Sequence, residues 1–366
     1  MSSIHIANTQ FEWELSQTGV PELLATLEKN PVYLQLQFLP FLYAEKTGGV
    51  AVSSSPPEEF WRALKKMGID PPKIHLLSEK ELSSYSQLES WGASRSVEAW
   101  ARSRHLAYSM PDWEVVKRVN SKLFSSSNSP QLPGSKLLNN EEEVASWLNT
   151  GSGMKVFKTC FGVSGKGHLL WDPENPPEKE RLVSFLTREW QAERVVIGEP
   201  WVHRLLDFST QWKIDSGIHY LGATICETDA KGVHKRNIAG DEQQLFAGRE
   251  DCIRDHKKVA LPILKEMQQL GYFGHVGVDA MLYRRDEREH LHPVVEINAR
   301  KTMGWAALEI QRRHFPNQLL SLAFLPHASA ASLLPTSLIT SRNKEIQFSR
   351  SLSLSFSSKL SLLKKI

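Results

Sequence analysis

Two carboxylates and a carboxamide stand out toward the end of the chain. Asp279 lies in the run from Gly274 to Tyr283, and Glu296 and Asn298 lie in the run from Pro293 to Gly304. Both runs read as apolar strands, and the charged residues 284–289 between them read as a polar turn. Side chains alternate along a strand, so Glu296 and Asn298 point to one face while Ile297 points to the core. With Asp279 on the partner strand they offer three hard oxygen donors, the kind of shell that magnesium takes beside nucleotide phosphates. Any one of them alone is an ordinary strand-end charge, and only the set carries the reading.

A second group precedes these. Residues 154–158 read as a strand that ends on Lys158 and leads into Gly162, Val163, Ser164, Gly165, Lys166 and Gly167, so strand, glycine loop and strand outline a hairpin flap. The other glycine-rich turn, residues 46–50, lacks the spacing of a dinucleotide fingerprint or a Walker loop and reads as a plain connection. Strands are expected at 194–197, 210–214, 220–226, 276–283 and 293–297, and helices at 141–148 and 255–270, the latter stopped by Gly271. Nearer the N-terminus, residues 32–36 and 73–77 read as strands around a helix at 57–67, a βαβ-like order that predicts a small α/β domain. The serine-rich residues 125–130 read as a loop or boundary.

An acidic residue on one strand followed by Glu-x-Asn-x-Arg on the next resembles the metal-binding end of the ATP-grasp superfamily. The resemblance runs over roughly residues 112–310, and its elements, each weak alone, come in the family's order. It implies that Asp279, Glu296 and Asn298 hold magnesium, with manganese as an alternative. It further implies that Lys158, with Gly162, Ser164, Gly165, Lys166 and Gly167, covers the phosphates of ATP, and that Lys122 reaches ATP from the domain boundary. Residues 194–202, with Glu199 and Val202, are similar to the segment that meets adenine, and Asp207 stands where the family has a ribose-binding acid, more often Glu. The arginine that often precedes the strand carboxylate is missing from Gly274-His275-Val276-Gly277. The phosphate-stabilising cation is therefore sought among Lys213, Arg236 and Arg300. Arg300 is preferred for the acyl phosphate or substrate carboxylate because its planar fork binds two oxygens at once, and Arg204 is a second candidate. Thr302, Met303 and Gly304 could add backbone donors.

The implied activity is ATP-dependent carboxylate–amine ligation: a carboxylate is activated as an acyl phosphate, and an amine of a small molecule, amino acid or peptide displaces phosphate. Two rivals share the nucleotide residues, a kinase-like phosphotransferase and a nucleotide-binding regulatory module that has lost turnover.

Bulk properties bound these readings. The 366 residues carry a net charge of +3 with basic residues spread along the chain, so nucleic acid is not an expected partner. Cys160, Cys226 and Cys252 form no C-x-x-C pattern and indicate neither a disulfide framework nor structural zinc; Cys160 reads as a small buried residue. No secretory signal or membrane span is recognised, and a cytoplasmic protein is expected, with a homodimer as the default assembly. The fold class expected is an α/β N-terminal domain (residues 1–111) followed by α+β ATP-grasp domains (112–335) with ATP in the cleft between two subdomains. The Ser/Lys-rich tail, 336–366, is expected to be poorly ordered. No histidine is assigned a catalytic role, and Trp201, Trp212 and Trp305 read as core or pocket wall.

Overall fold

The computed structural model describes residues 2–82, 84–162, 167–192, 194–229, 232–326 and 332–357. The chain begins with β1 (Ser3–Ile6), α1 (Phe11–Leu15), α2 (Leu23–Glu28), α3 (Pro31–Leu36), α4 (Pro40–Tyr43), β2 (Gly49–Val52), α5 (Glu58–Lys66), β3 (Lys73–Leu76), β4 (Gln87–Ser90) and α6 (Arg95–Arg102). The strands form a parallel sheet in the order β3-β2-β1-β4. A parallel sheet is covered on both faces, which is why Gly49 to Val52 is an unbroken small apolar run, buried throughout. Residues 32–36, expected as a strand, are instead helix α3. Asn30 caps it by accepting the Val32 N–H at 2.9 Å, and Pro31 presets the first helical turn.

Two short helices, α7 (Trp113–Asn120) and α8 (Lys122–Asn128), follow. The serine run expected as a loop therefore starts inside α8. The buried Ser125 hydroxyl accepts the Ile297 N–H at 3.0 Å, a tertiary partner that composition does not reveal. Next come β5 (Lys136–Leu138), α9 (Glu141–Leu148), β6 (Lys155–Lys158), β7 (His168–Trp171), α10 (Lys179–Gln191) and β8 (Val196–Pro200). Their strands make an antiparallel sheet, β5-β8-β6-β7, over a core that includes Trp147, Phe157, Leu169 and Leu186.

The remainder is β9 (His203–Ile214), β10 (Ile218–Thr228), β11 (His234–Ala239), α11 (Glu242–Leu245), α12 (Glu250–Gln269), β12 (Gly274–Arg285), β13 (Arg288–Asn298), α13 (Met303–His314), β14 (Leu319–Pro326), β15 (Ser337–Ile339), β16 (Glu345–Gln347) and β17 (Arg350–Ser357). Seven strands form one antiparallel sheet, β13-β12-β9-β10-β11-β14-β17. An α/β region followed by antiparallel α+β layers is the fold class expected.

The tail departs from expectation. β17 pairs along its whole length with β14, and Leu352 is fully buried in the core shared with β1, β2 and α13. Alternating Ser and Leu is a half-buried strand pattern, serines on one face and leucines on the other, and composition masks that period. Residues 358–366 lie outside the described residues. Among the described residues no helix is long and apolar enough to cross a membrane.

Candidate active site

The long β12 and β13 pair in a register that sets Asp279 opposite Glu296 and Gly277 opposite Asn298. Ile297 packs into the core beside Val278 and Val294, so its two neighbours face away from that core, as alternation requires. The Asn298 Nδ2 donates to Asp279 Oδ2 at 3.0 Å. Burial, and then the Glu296 carboxylate, push the Asp279 carboxyl up to about 7, partly opposed by hydrogen bonds from Ser209 and Asn298. A cation between Asp279 and Glu296 would relieve both effects. Among the described residues no three His, Cys, Asp or Glu side chains cluster as a metal site. The candidate donors are two carboxylates and an amide oxygen, all hard oxygens, a set that fits magnesium supplemented by phosphate oxygens.

Cations surround these oxygens. Lys122 begins α8, with Ser121 capping the helix and the Lys122 N–H donating to Cys160 O at 2.9 Å. Its Nζ donates to Glu296 Oε1 at 2.6 Å and to Gly162 O at 3.3 Å, tying the base of the glycine loop to the carboxylate end. Arg300 donates to Asn298 Oδ1 at 3.0 Å and to Lys301 O at 3.1 Å, and it forms an ion pair with Glu12. Burial lowers the Arg300 guanidinium to about 10.

On the opposite wall, β6 ends with Lys158, whose Nζ donates to Glu199 Oε2 at 2.6 Å. The loop that follows closes at its base where the Thr159 N–H donates to Gly167 O at 2.9 Å. Gly167 has φ +93°, and a Cβ there would come within 2.6 Å of Thr159 Oγ1, so only glycine fits. Ser164, Gly165 and Lys166 lie outside the described residues. Asp207 accepts from Arg204 at 3.3 Å and from Thr228 at 3.0 Å, and Arg204 lies 5.1 Å from the Trp201 ring centroid.

Lys122, Lys158, Gly162, Gly167, Arg204, Asp207, Asp279, Glu296, Asn298, Arg300 and Thr302 to Gly304 all line one cleft of about 260 Å³. It adjoins a second cavity of about 1170 Å³, with Trp201, Arg204, Asp207, Cys226 and Thr228 in the wall of both. Glu199 reaches the cleft through Lys158. Val202 lines the second cavity and packs beside Leu132, Met281 and Tyr283.

Lys213 is not brought to the cleft. It lies four residues beyond Ser209 on β9, about 13 Å along an extended strand, where it pairs with Asp215 at 3.8 Å and is half exposed. Arg236 faces the second cavity, paired with Glu227 at 2.5 Å. Gly304, rather than only starting a helix, lets α13 pass close to the sheet, since a Cβ would meet Thr224 Oγ1 at 2.7 Å.

Sequence reasoning missed the apolar lining of Val156, Phe208, Ala280 and Val295. Ala280 and Val295 adjoin Asp279 and Glu296, so proximity could have flagged them; Val156 and Phe208 carry no chemical signal at all. Glu12 was missed because nothing in the sequence links it to residue 300. Cys160 is buried, donates to Val195 O at 3.2 Å, and has its thiol pushed up by burial, as expected of a packing residue. Trp212 and Trp305 are buried, and Trp201 forms pocket wall.

No protein-family model matches the sequence, and no curated protein matches it. Solved structures do. The biotin carboxylase domain of Hydrogenobacter thermophilus 2-oxoglutarate carboxylase, in complex with MgADP, ADP and bicarbonate, is 13% identical with a TM-score of 0.51 over 86% of this chain and 87% of that one. An N5-carboxyaminoimidazole ribonucleotide synthetase in complex with ADP is 11% identical, with a TM-score of 0.51 over 100% of this chain and 94% of that one. At such identities the likeness speaks to the fold, and one parallel sheet followed by antiparallel sheets is consistent with it. The fold of this chain is that of the ATP-grasp superfamily.

Proposed function

We propose that this protein is an ATP- and magnesium-dependent ligase that activates a carboxylate as an acyl phosphate and transfers it to an amine of a small molecule, amino acid or peptide. The observation that carries this reading is the convergence, in one cleft, of the facing Asp279 and Glu296, the Asn298 amide, the Lys122 and Lys158 ammonium groups and the Arg300 guanidinium. Phosphoryl transfer from ATP to a carboxylate demands alignment and charge neutralisation more than covalent help from the protein, and this set of groups supplies both. The MgADP and bicarbonate named for the biotin carboxylase domain, and the ADP named for the synthetase, support nucleotide and metal use on this fold.

In this reading the apolar lining of Val156, Ala280 and Val295 takes adenine, Glu199 and Val202 border it, and Asp207 accepts from the ribose. Lys158 and Lys122 exchange their carboxylate partners for phosphate oxygens, with the glycine loop covering the same oxygens. Asp279, Glu296 and Asn298 would hold magnesium, which neutralises charge on the phosphates when bound. Arg300 orients the substrate carboxylate and then the acyl phosphate. The amine attacks the acyl carbon, phosphate leaves with the bonding electrons, and the amine proton passes to solvent or to phosphate.

Thermal unfolding of the full chain with ADP or a non-hydrolysable ATP analogue, with and without magnesium, tests this. Stabilisation that needs magnesium and disappears in Glu296→Ala supports it; about 2.7 kcal/mol is expected at one hundred times Kd. Phosphate release would then be screened over carboxylate and amine pairs. No stabilisation at millimolar nucleotide overturns the reading.

A further inference from the structure

The cavity of about 1170 Å³ has none of Asp279, Glu296, Asn298 and Arg300 in its wall, so it is a space apart from the metal end of the cleft. One side of it is built by β10, β11, β14 and β17. Their register sets Glu227 opposite Arg236, Arg236 opposite Ala323, and Ala323 opposite Ser353, so these four side chains form a row on one face of the sheet. The next row on that face, two residues along each strand, is Ile225, Ile238, Ser321 and Ser355. All of these except Ile238 line the cavity. The serines come from β14 and β17, beyond the residues that resemble ATP-grasp proteins.

The polar groups of these rows keep unused bonding capacity. Arg236 donates through Nε to Glu227 Oε2 at 2.5 Å; among the described residues its terminal nitrogens and Glu227 Oε1 make no hydrogen bond. The two side chains are 14% and 24% exposed, so the pair is partly withdrawn from water. Ser321 is 1% exposed, yet its hydroxyl has no partner among the described residues, and neither have those of Ser353 and Ser355. Enclosed polar groups are nearly always paired, and a row of open donors and acceptors beside an ion pair, in a space of this size, suits a polar organic ligand.

Charge selects its class. Arg204, Lys235 and Arg236 share the wall with Asp207, Glu227 and Asp229. A simple anion approaching Arg236 meets the Glu227 carboxylate beside it, and a simple cation approaching Glu227 meets the guanidinium. A molecule with both signs close together avoids both penalties. Its carboxylate takes the terminal nitrogens of the guanidinium fork, and its ammonium takes Glu227 Oε1. An α-amino acid carries these two groups on one carbon, and the serine hydroxyls, with Ala323 and Ile225 among them, then face its side chain.

We infer that this cavity is a binding site for a zwitterionic α-amino acid, whose head group is held by Arg236 and Glu227. The assignment goes beyond the ligase reading and does not depend on nucleotide use.

The test is thermal unfolding of the full-length protein, without nucleotide, against each common L-amino acid at millimolar concentration, followed by calorimetric titration of those that stabilise it. At least one stabilises the chain, and its N-acetyl and α-amide forms, each lacking one charge, bind about tenfold more weakly. In Glu227→Gln the preference for the free ammonium over the N-acetyl form disappears. In Arg236→Gln the preference for the free carboxylate over the amide disappears. The double variant E227Q/R236Q strands no charge, so it reports even if a single variant folds poorly, and it binds the amino acid at least about tenfold more weakly than wild type.

No stabilisation of the wild type by any amino acid overturns the inference. So does an acetylated or amidated form that binds as tightly as its parent, or variants that keep the wild-type selectivity. Because no nucleotide is added, failure here leaves the ligase reading standing, and magnesium-dependent stabilisation by ADP is judged separately.

Discussion

Lys158 and Glu199 make the sharpest separation of stability from binding. Their charged atoms are 2.6 Å apart, with side chains 13% and 8% exposed. Lys158→Met leaves the Glu199 carboxylate enclosed without its cation, and removal of one partner from a buried pair costs about 3–5 kcal/mol. The lower end applies here, because Lys158 lines the open cleft and water can reach the vacated carboxylate. Glu199→Leu strands the ammonium instead, with a similar cost. The double variant K158M/E199L removes both charges and fills the space with apolar atoms, so its stability should return to within about 1 kcal/mol of wild type. Nucleotide affinity should not return, since the cation proposed to face the phosphates is absent from the double variant as from the single one. Urea unfolding gives the first quantity and calorimetric titration with Mg-ADP the second. Single variants within about 1 kcal/mol of wild type, or a double variant as unstable as the sum of the singles, would refute the argument that this pair is an enclosed charge pair.

Further outcomes follow from other parts of the molecule. Glu296→Ala and Asn298→Ala should each abolish nearly all turnover while the melting temperature of the unliganded protein stays close to wild type, and retained activity in both would count against the metal-end assignment. Leu352→Ala should lose about 2–5 kcal/mol because the side chain is fully buried; Ser353→Ala, on the opposite face of β17, should stay within about 0.5 kcal/mol. Gly167→Ala should weaken Mg-ADP binding by distorting the loop base at its positive φ, measurable by titration. Stability should also depend on pH through enclosed histidines. Burial lowers His5 and His275 to about 3, and His256 and His292 to about 4. These folded values lie below the ordinary 6.5, so the unfolded chain binds more protons, and stability falls as pH drops from 6.5 toward 3–4, by at most about 1.4 kcal/mol per pH unit for each histidine. Asp279, raised to about 7, works in the opposite direction between pH 7 and 3.8 and offsets one of the four. Denaturant titrations at pH 7, 6 and 5 should show a net loss, and a flat profile would contradict the burial of these rings.

The sequence by itself determined the features that repeat with a local period or cluster within a few residues. The β12–β13 hairpin was legible because apolar alternation and a charged turn constrain pairing locally, and that pairing places Asp279 opposite Glu296. Helix α9 and the strand before the glycine loop were legible for the same reason. Only the tertiary structure decided the rest. Residues 32–36 are the exception, a misread local signal, since the Asn30 cap and Pro31 that start α3 stand beside them in the sequence. Ser125 joins a helix because Ile297, far along the chain, supplies its partner, and the Ser/Leu tail becomes β17 because β14 offers an open edge and the N-terminal core a place for Leu352. Lys213 and Arg300 look alike as candidate cations in one dimension. Distance along β9 removes the first from the cleft, and the ion pair with Glu12, made across 288 residues, anchors the second. Contacts between distant segments depend on how whole layers stack, and no local window of sequence contains that information.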